Sequence, residues 1–476
     1  MKESLKGKTV SAMIWSSVER FSVQGIQFLI MIIMARLLLP SDYGLIGMLA
    51  IFIAISQSFI DSGFSNALIR KSDRTEIDFS TVFYFNIIVG VCFYLLLFFA
   101  SSKIALFYKA PQLENITKIV AINLLINSLT VVQRAKFTIE VDFKSQAKAS
   151  VLSVIISGVL GIWMAYTGYG VWALVTQTVV NSTINMIFLW YYAHWIPAWI
   201  FSFKSFKEMF TFGSKLLLAG LLDTTYKNIY TIVIGKKFSV QDLGYFTRAD
   251  QFAQFPSSNV TGIIGRVTFP ILSSIQHDEP RLQSVYRKYL RMSAFIVFPL
   301  MVGLAALAHP FVLVVLTAKW EGVVILLQII CFAAMWYPIH AINLNLLQVK
   351  GRSDLFLRLE IIKKTLGVIT LLITIPLGIV AMCIGMIFSS FLALIVNTHY
   401  TGKLINVGFL KQMGDLLPIL AYAFSMGGFV WWVIQFLGSD EMRLFMGSVI
   451  GVVYYYIVTY FTRSGELKEL LLLVKQ

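Results

Sequence analysis

Long apolar stretches bounded by short polar clusters recur fourteen times along the chain. They are centred near Phe21, Ile53, Val91, Leu124, Ile155, Val180, Leu222, Gln254, Phe295, Ala334, Val368, Phe388, Phe424 and Val452. Each is close to the ~20 residues a helix needs to cross hydrocarbon, and no connection is long enough to hold a soluble domain. The pattern predicts an all-α polytopic membrane protein with 14 transmembrane helices. The longest connection, Tyr192 to about Met209, interleaves Trp195, Trp199, Phe203 and Phe206 with Lys204 and Lys207. It reads as an interfacial helix or as an aromatic belt with snorkelling lysines. Gly465–Gln476 is a second candidate for an interfacial helix. Basic Met1–Thr9 runs into the first apolar stretch without a small-residue cleavage site, so it reads as a retained spanning helix.

Composition agrees. Of 476 residues 58% are hydrophobic and only 13% charged, against about 25% charged in soluble domains. Disordered, collagen-like, coiled-coil and disulfide-scaffold classes are excluded. Cys92, Cys331 and Cys383 all sit in apolar stretches. The 39 Lys+Arg exceed the 24 Asp+Glu, for a net charge of +15. In a membrane protein such an excess points to cytoplasmic loops before nucleic acid. With the N-terminus placed in the cytoplasm, inside connections hold 24 Lys+Arg and outside ones 7. The inside set includes Arg134, Lys136, Lys144 and Lys148 in one connection, and Arg281, Arg287, Lys288 and Arg291 in another. Both termini are therefore expected to be cytoplasmic.

An internal repeat appears at two places. Arg36, Asp42 and Gly44 return 200 residues later as Lys236, Asp242 and Gly244, and Gly170-Val171-Trp172-Ala173 is echoed by Gly378-Ile379-Val380-Ala381. The expected organisation is two pseudo-symmetric six-helix lobes, residues 1–200 and 201–405, the second opening with the interfacial linker. Residues 406–476 then add spans thirteen and fourteen and a tail. Six is even, so the lobes would run parallel about an axis along the membrane normal, with substrate between them.

Eight cations fall inside the spans, Arg20, Lys118, Lys215, Lys227, Arg248, Arg266, Lys363 and Lys364, against five acids, Glu19, Asp61, Asp223, Asp250 and Glu360. A centred Lys or Arg costs at least ~2.5–3.5 kcal/mol, so these side chains must meet protein or water. Several lie in helical stripes: Ser16, Arg20, Gln24 and Gln27; Lys215, Asp223, Lys227 and Tyr230; Arg248, Gln251, Asn259 and Arg266; Gln177, Asn181 and Asn185. Arg20, Lys215, Lys227 and Arg248 are the candidate anion-binding residues, because Arg grips phosphate with a planar fork and Lys with a point charge. Secondary candidates are Arg266, Lys364, Gln24 and Asn181. Arg266 and Lys363 read equally well as snorkelling residues, Glu360–Lys364 as a self-neutralised pair, and the amide stripes as interhelical glue. Asp223, Asp61 and Glu360 are candidates for ion coupling. The five histidines lack metal-ligand spacing, and no phosphate-binding lysine loop, G-x-S-x-G or H-E-x-x-H occurs, so no enzyme activity, metal or cofactor is expected.

Four stretches resemble one family. They are Ala35-Arg36-Leu37-Leu38-Leu39-Pro40-Ser41-Asp42-Tyr43-Gly44, Asp61-Ser62-Gly63-Phe64-Ser65-Asn66-Ala67-Leu68-Ile69-Arg70, Gly244-Tyr245-Phe246-Thr247-Arg248-Ala249 with Pro256 and Arg266-Val267-Thr268-Phe269-Pro270, and Leu347-Gln348-Val349-Lys350-Gly351-Arg352-Ser353-Asp354. In their order along the chain they resemble the polysaccharide transporters of the multidrug/oligosaccharidyl-lipid/polysaccharide exporter superfamily. The resemblance implies a flippase of a bacterial inner membrane for polyprenyl diphosphate-linked glycan repeat units in O-antigen, capsule or exopolysaccharide assembly. Alternating access through a cationic cavity is implied, with a polysaccharide polymerase and glycosyltransferases as partners. Arg248 lies inside a matching motif; Arg20, Lys215 and Lys227 do not. The competing readings are a cation-coupled multidrug-type exporter of the same fold and a peptidoglycan-precursor (lipid II) flippase. H+, Na+ or the membrane potential would supply the drive.

Overall fold

The computed structural model describes residues 5–61 and 63–474, with the side chains of residues 5–14, 16–18, 20, 215, 219, 473 and 474 outside that description. Most of the described residues are helical, with no strand among them. By mutual contact they fall into two compact units, residues 1–244 and 245–476.

The first unit holds α1 (Leu5–Leu37), α2 (Pro40–Asp61), α3 (Phe64–Arg70), α4 (Glu76–Tyr108), α5 (Leu113–Val120), α6 (Ile122–Ser128), α7 (Val131–Glu140), α8 (Phe143–Tyr166), α9 (Val171–Ala193), α10 (Phe203–Lys227) and α11 (Ile229–Lys237). Helix α12 (Val240–Ser274) begins in the first unit and continues in the second. The second unit continues with α13 (Glu279–Ala306), α14 (Ala308–Val315), α15 (Val323–Ala334), α16 (Tyr337–Val349), α17 (Ser353–Thr374), α18 (Ile379–Ile405), α19 (Phe409–Ile434), α20 (Asp440–Phe461) and α21 (Gly465–Val474).

All fourteen sequence centres fall on helix. Ten helical stretches among the described residues are long and apolar enough to cross a membrane. The other four centres lie on α1, α10, α12 and α17, where the sequence reading put most of its intramembrane charge. On α1 the apolar part among the fully described residues, Phe21–Leu37, is too short by itself to cross. On α10, α12 and α17 polarity lowers the hydropathy without stopping the helix, because backbone hydrogen bonds close within the segment whatever the side chains are.

Both sequence echoes mark equivalent local structure. Two residues separate the end of α1 from the start of α2, and two separate α11 from α12. In each case an aspartate caps the new helix: Leu39 N–H donates to Asp42 at 2.9 Å, and Ser239 N–H to Asp242 at 3.1 Å. Such a carboxylate satisfies an orphan donor at the positive end of the helix. Gly170 (φ 55°) precedes α9 and Gly378 (φ 99°) precedes α18, each in a left-handed conformation that glycine adopts at little cost.

In the first unit α8 packs between α1 and α9 along a buried stripe of Ser153, Ser157, Gly158, Gly161 and Ala165, while α10 packs on α2, α3 and α4. Small residues allow the close approach on which helix association in lipid depends. The long connection after α9 is not a separate interfacial helix. Residues 194–202 form a strap over the start of α4, where Trp195 Nε1 donates to Glu76 at 2.7 Å, Ala198 N–H to Ser80 Oγ at 2.9 Å and Ser202 N–H to Thr81 Oγ1 at 3.0 Å. Side-chain acceptors on α4 thus meet one indole and two backbone N–H groups, and an isolated amphipathic helix would have paired the backbone donors internally.

In the second unit α13 packs on α19, α15 and α16, and α18 on α17, α15 and α16. A fully buried amide pair holds α16 to α19: Asn343 Nδ2 donates to Gln412 Oε1 at 3.1 Å, and Gln412 Nε2 to Asn343 Oδ1 at 3.2 Å. Thr401 of α18 and Tyr286 of α13 join it. Pro299 inside α13 removes the donor that Phe295 O would receive, and the Tyr455 hydroxyl of α20 donates to that oxygen instead, at 3.0 Å.

Candidate functional site

The candidate anion-binding residues separate between the units. Arg20 on α1 and Lys215 on α10 fall in the first, but their side chains lie outside the described residues. Lys227, near the end of α10, forms an ion pair with Asp223 one turn earlier at 2.7 Å. One candidate cation and one candidate coupling acid are thus each other's counter-ion, the spacing at which helical side chains meet. Gln24 is half-buried on α1, and Asn181 on α9 accepts a long 3.5 Å bond from Ser157 of α8. The latter serves helix packing.

The first unit also assembles a polar cluster around a residue that the sequence reading placed in a loop. Arg134 lies on α7, inside the continuous apolar stretch Leu113–Glu140, and is accessible there. It stands within electrostatic range of Asp61 at the end of α2 and Glu19 on α1. Asn127 Nδ2 donates to Gln57 at 3.2 Å, Gln57 Nε2 donates to Asp61 at 3.3 Å, and Ser150 Oγ donates to Glu19 at 2.8 Å. The stretch Leu113–Glu140 is broken by turn residues at Leu129–Thr130, and α7 is still helical at Arg134, where an unbroken span centred at Leu124 would have ended. The polar run Asn127-Ser128 in mid-span was the available signal. Asp61, a candidate for ion coupling, belongs to this cluster of two carboxylates and one guanidinium.

Arg248 lies on α12 in the second unit. It is 6% exposed, its guanidinium sits 5.9 Å from the centre of the Trp320 ring, and it donates to Gln251 one turn on. Cation–π contact and an amide acceptor shelter this charge in the observed conformation. Arg266, further along α12, is exposed. On α17 Glu360 binds Lys363 three residues away, with Lys364 at 4.0 Å. The nearer partner of Glu360 is therefore Lys363, and Lys364 stands at the edge of pairing distance. Lys118 pairs with Glu114 at 2.8 Å and lies 5.4 Å from the Phe98 ring centre, a surface role. No group of three His, Cys, Asp or Glu among the described residues is placed to hold a metal.

The repeat contributes one further feature. The first turns of α2 and α12, both within the first unit, cross backbone to backbone. A Cβ on Gly44 would stand 1.9 Å from Val240 O, and one on Gly244 would stand 1.9 Å from Pro40 O. Two glycines related by the 200-residue shift thus make one reciprocal crossing that no side chain could enter.

Comparison with known proteins places this architecture. Residues 33–325 match the family model described as polysaccharide biosynthesis protein. The teichuronic acid biosynthesis protein TuaB of Bacillus subtilis is 27% identical over 74% of this chain and 73% of its own length. The lipopolysaccharide biosynthesis protein WzxC of Escherichia coli is 24% identical over 83% of this chain and 80% of its own. Among solved structures, the lipid II flippase MurJ in an inward closed conformation superposes with a TM-score of 0.77 at 15% identity, over 95% of this chain and 99% of MurJ. An inward-facing multidrug resistance transporter of the MATE family gives 0.62 at 16% identity, over 86% and 98%.

Proposed function

The chain belongs to the polysaccharide biosynthesis protein family, and from that premise we propose that it is a flippase for polyprenyl diphosphate-linked oligosaccharide repeat units. It carries them across a bacterial inner membrane for O-antigen, capsule or exopolysaccharide assembly. Fourteen spans with both termini in the cytoplasm form two lobes that rock to give alternating access. The diphosphate is drawn by intramembrane cations, Arg20 and Lys215 among them, while the prenyl chain stays in lipid. Glycosyltransferases would supply the substrate and a polymerase would consume it, so this chain itself carries no catalytic step.

The observation that carries the reading is the family match over residues 33–325, on a fold shared with a lipid-linked precursor flippase. An anionic ligand also accounts for the surplus of cations over acids in the spans. A cationic drug would be repelled by it. The membrane potential acts on the ligand's charge directly, at ~2.3 kcal/mol per charge per 100 mV.

The test is complementation of a strain lacking its own repeat-unit flippase, with export scored by surface glycan. Native protein restores export, and Arg20→Ala inserts normally but fails to. Full export with the stably inserted Ala variant removes Arg20 from the mechanism. Rescue of a strain depleted of its lipid II flippase, with no rescue of glycan export, overturns the substrate class.

A further inference from the structure

The second unit contains an apolar cleft of about 520 Å³ between α13, α14, α19 and α20, with walls that include Phe295, Leu304, Val430 and Val452. Its polar side chains are Ser448, Thr459 and two tyrosines. One end is closed by α21, whose Leu467 and Leu470 line the cleft. The same short helix is held by charge. Arg291 Nε lies 2.9 Å from Glu466, Lys288 Nζ lies 3.0 Å from Glu469, and Ser464 Oγ donates to Glu466 at 2.7 Å.

Arg287, Lys288 and Arg291 of α13 have two kinds of partner. Asp415 of α19 receives both arms of Arg287 at 2.7 Å and stands 3.5 Å from Arg291. That carboxylate is 7% exposed and belongs to the helical frame. Lys288 and Arg291 draw the carboxylates of α21, and these pairs are more open to water. Arg291 precedes Phe295 by four residues, about 6 Å along one face of α13. A cationic rim therefore runs directly into an apolar cleft.

Leucine in the cleft and carboxylate on the rim are the two features of an anionic lipid. We infer that the cleft and its rim form a binding site for an anionic glycerophospholipid, with one hydrocarbon chain in the cleft and the phosphate on Lys288 and Arg291. Helix α21 occupies the site as an intramolecular competitor. Helices α13, α19 and α20 are all among the apolar spans, so the outer side of the cleft adjoins the bilayer. Basic pockets between spanning helices at the membrane surface are where phosphate head groups bind. Partly exposed ion pairs contribute little and exchange readily, so α21 is displaceable. A phospholipid fits better than a glycan-bearing lipid because the lining offers so few polar groups to recognise sugars. This site is independent of the transport reading.

The experiment uses the full chain in nanodiscs, with phosphatidylglycerol or phosphatidylcholine as probe and retained lipid counted by native mass spectrometry. The Glu466→Gln/Glu469→Gln variant should retain phosphatidylglycerol about tenfold more strongly than native protein, with no gain for phosphatidylcholine. Adding Lys288→Gln/Arg291→Gln should abolish that gain. Leu467→Ser/Leu470→Ser, which leaves every charge in place, should raise phosphatidylglycerol retention too and covers the case in which the glutamine variant does not fold. The proposal is overturned if neither variant gains phosphatidylglycerol, or if the gain is equal for phosphatidylcholine. It is also overturned if equimolar geranylgeranyl diphosphate displaces the phospholipid, which would make the site a prenyl-anchor site.

Discussion

Gly44→Ala and Gly244→Ala test the crossing of α2 and α12. Each new Cβ would arrive 1.9 Å from a backbone carbonyl oxygen, whereas ordinary contact begins at 3.4 Å. The backbones must therefore part by about 1.5 Å. Neither obstacle is a side chain that can rotate away, so the strain falls on the helix placement itself. Overpacking of this kind costs about 1–3 kcal/mol, occasionally more. That is enough to reduce the crossed form roughly 5- to 100-fold. The assay is thermal unfolding of the purified protein together with hydrogen exchange in peptides covering residues 38–45 and 238–245. Each single variant should lower the melting temperature and speed exchange in both segments. The double variant should cost little more than the worse single, because one separation relieves both clashes. Gly25→Ala and Gly428→Ala, where an added Cβ meets nothing within 4 Å, should be neutral or stabilising by about 0.5–1 kcal/mol. Unchanged stability and exchange in Gly44→Ala would refute the argument.

Gln412→Leu should destabilise the second unit by about 1–3 kcal/mol, because Asn343 and Thr401 lose buried partners; chemical unfolding measures it, and Asn343→Leu/Gln412→Leu should recover part of the loss. Trp195→Phe removes a 2.7 Å bond to a carboxylate and should cost about 1.5–3 kcal/mol. Its signature is faster proteolysis within residues 194–202, and unchanged proteolysis would count against the strap. Arg134→Gln leaves Glu19 and Asp61 without their shared cation and should reduce glycan export in the complementation strain at normal membrane levels. Full export would confine Arg134 to a structural role.

The spans were legible because lipid imposes a length and a polarity on any segment that crosses it: all fourteen apolar centres fall on helix, and ten helical stretches among the described residues are long and apolar enough to cross. The termini of α2, α9, α12 and α18 were legible too, since Asp42 and Asp242, Gly170 and Gly378 act within a few residues of their own position. Less legible was the partner of each polar residue. Asp223 and Lys227 looked like two lining groups and are one ion pair, and Glu360 prefers Lys363 to Lys364. Arg134 looked like a loop cation because the break at Leu129–Thr130, signalled only by the polar pair Asn127-Ser128, lets the chain stay helical beyond the length of one plain span.

Sequence alone, then, determined the class of molecule, the signals that open α2, α9, α12 and α18, and the surplus of cations, all of which depend on local composition and on the solvent around the chain. Tertiary structure decided which charges are spent on each other, that Arg248 is sheltered against Trp320, that Gly44 and Gly244 meet, and that α21 seats its leucines in a cleft. The physical reason is range. Helix formation and hydrophobic length are settled within about 20 residues, whereas an ion pair, a glycine crossing or a filled cleft depends on backbones brought together from distant parts of the chain.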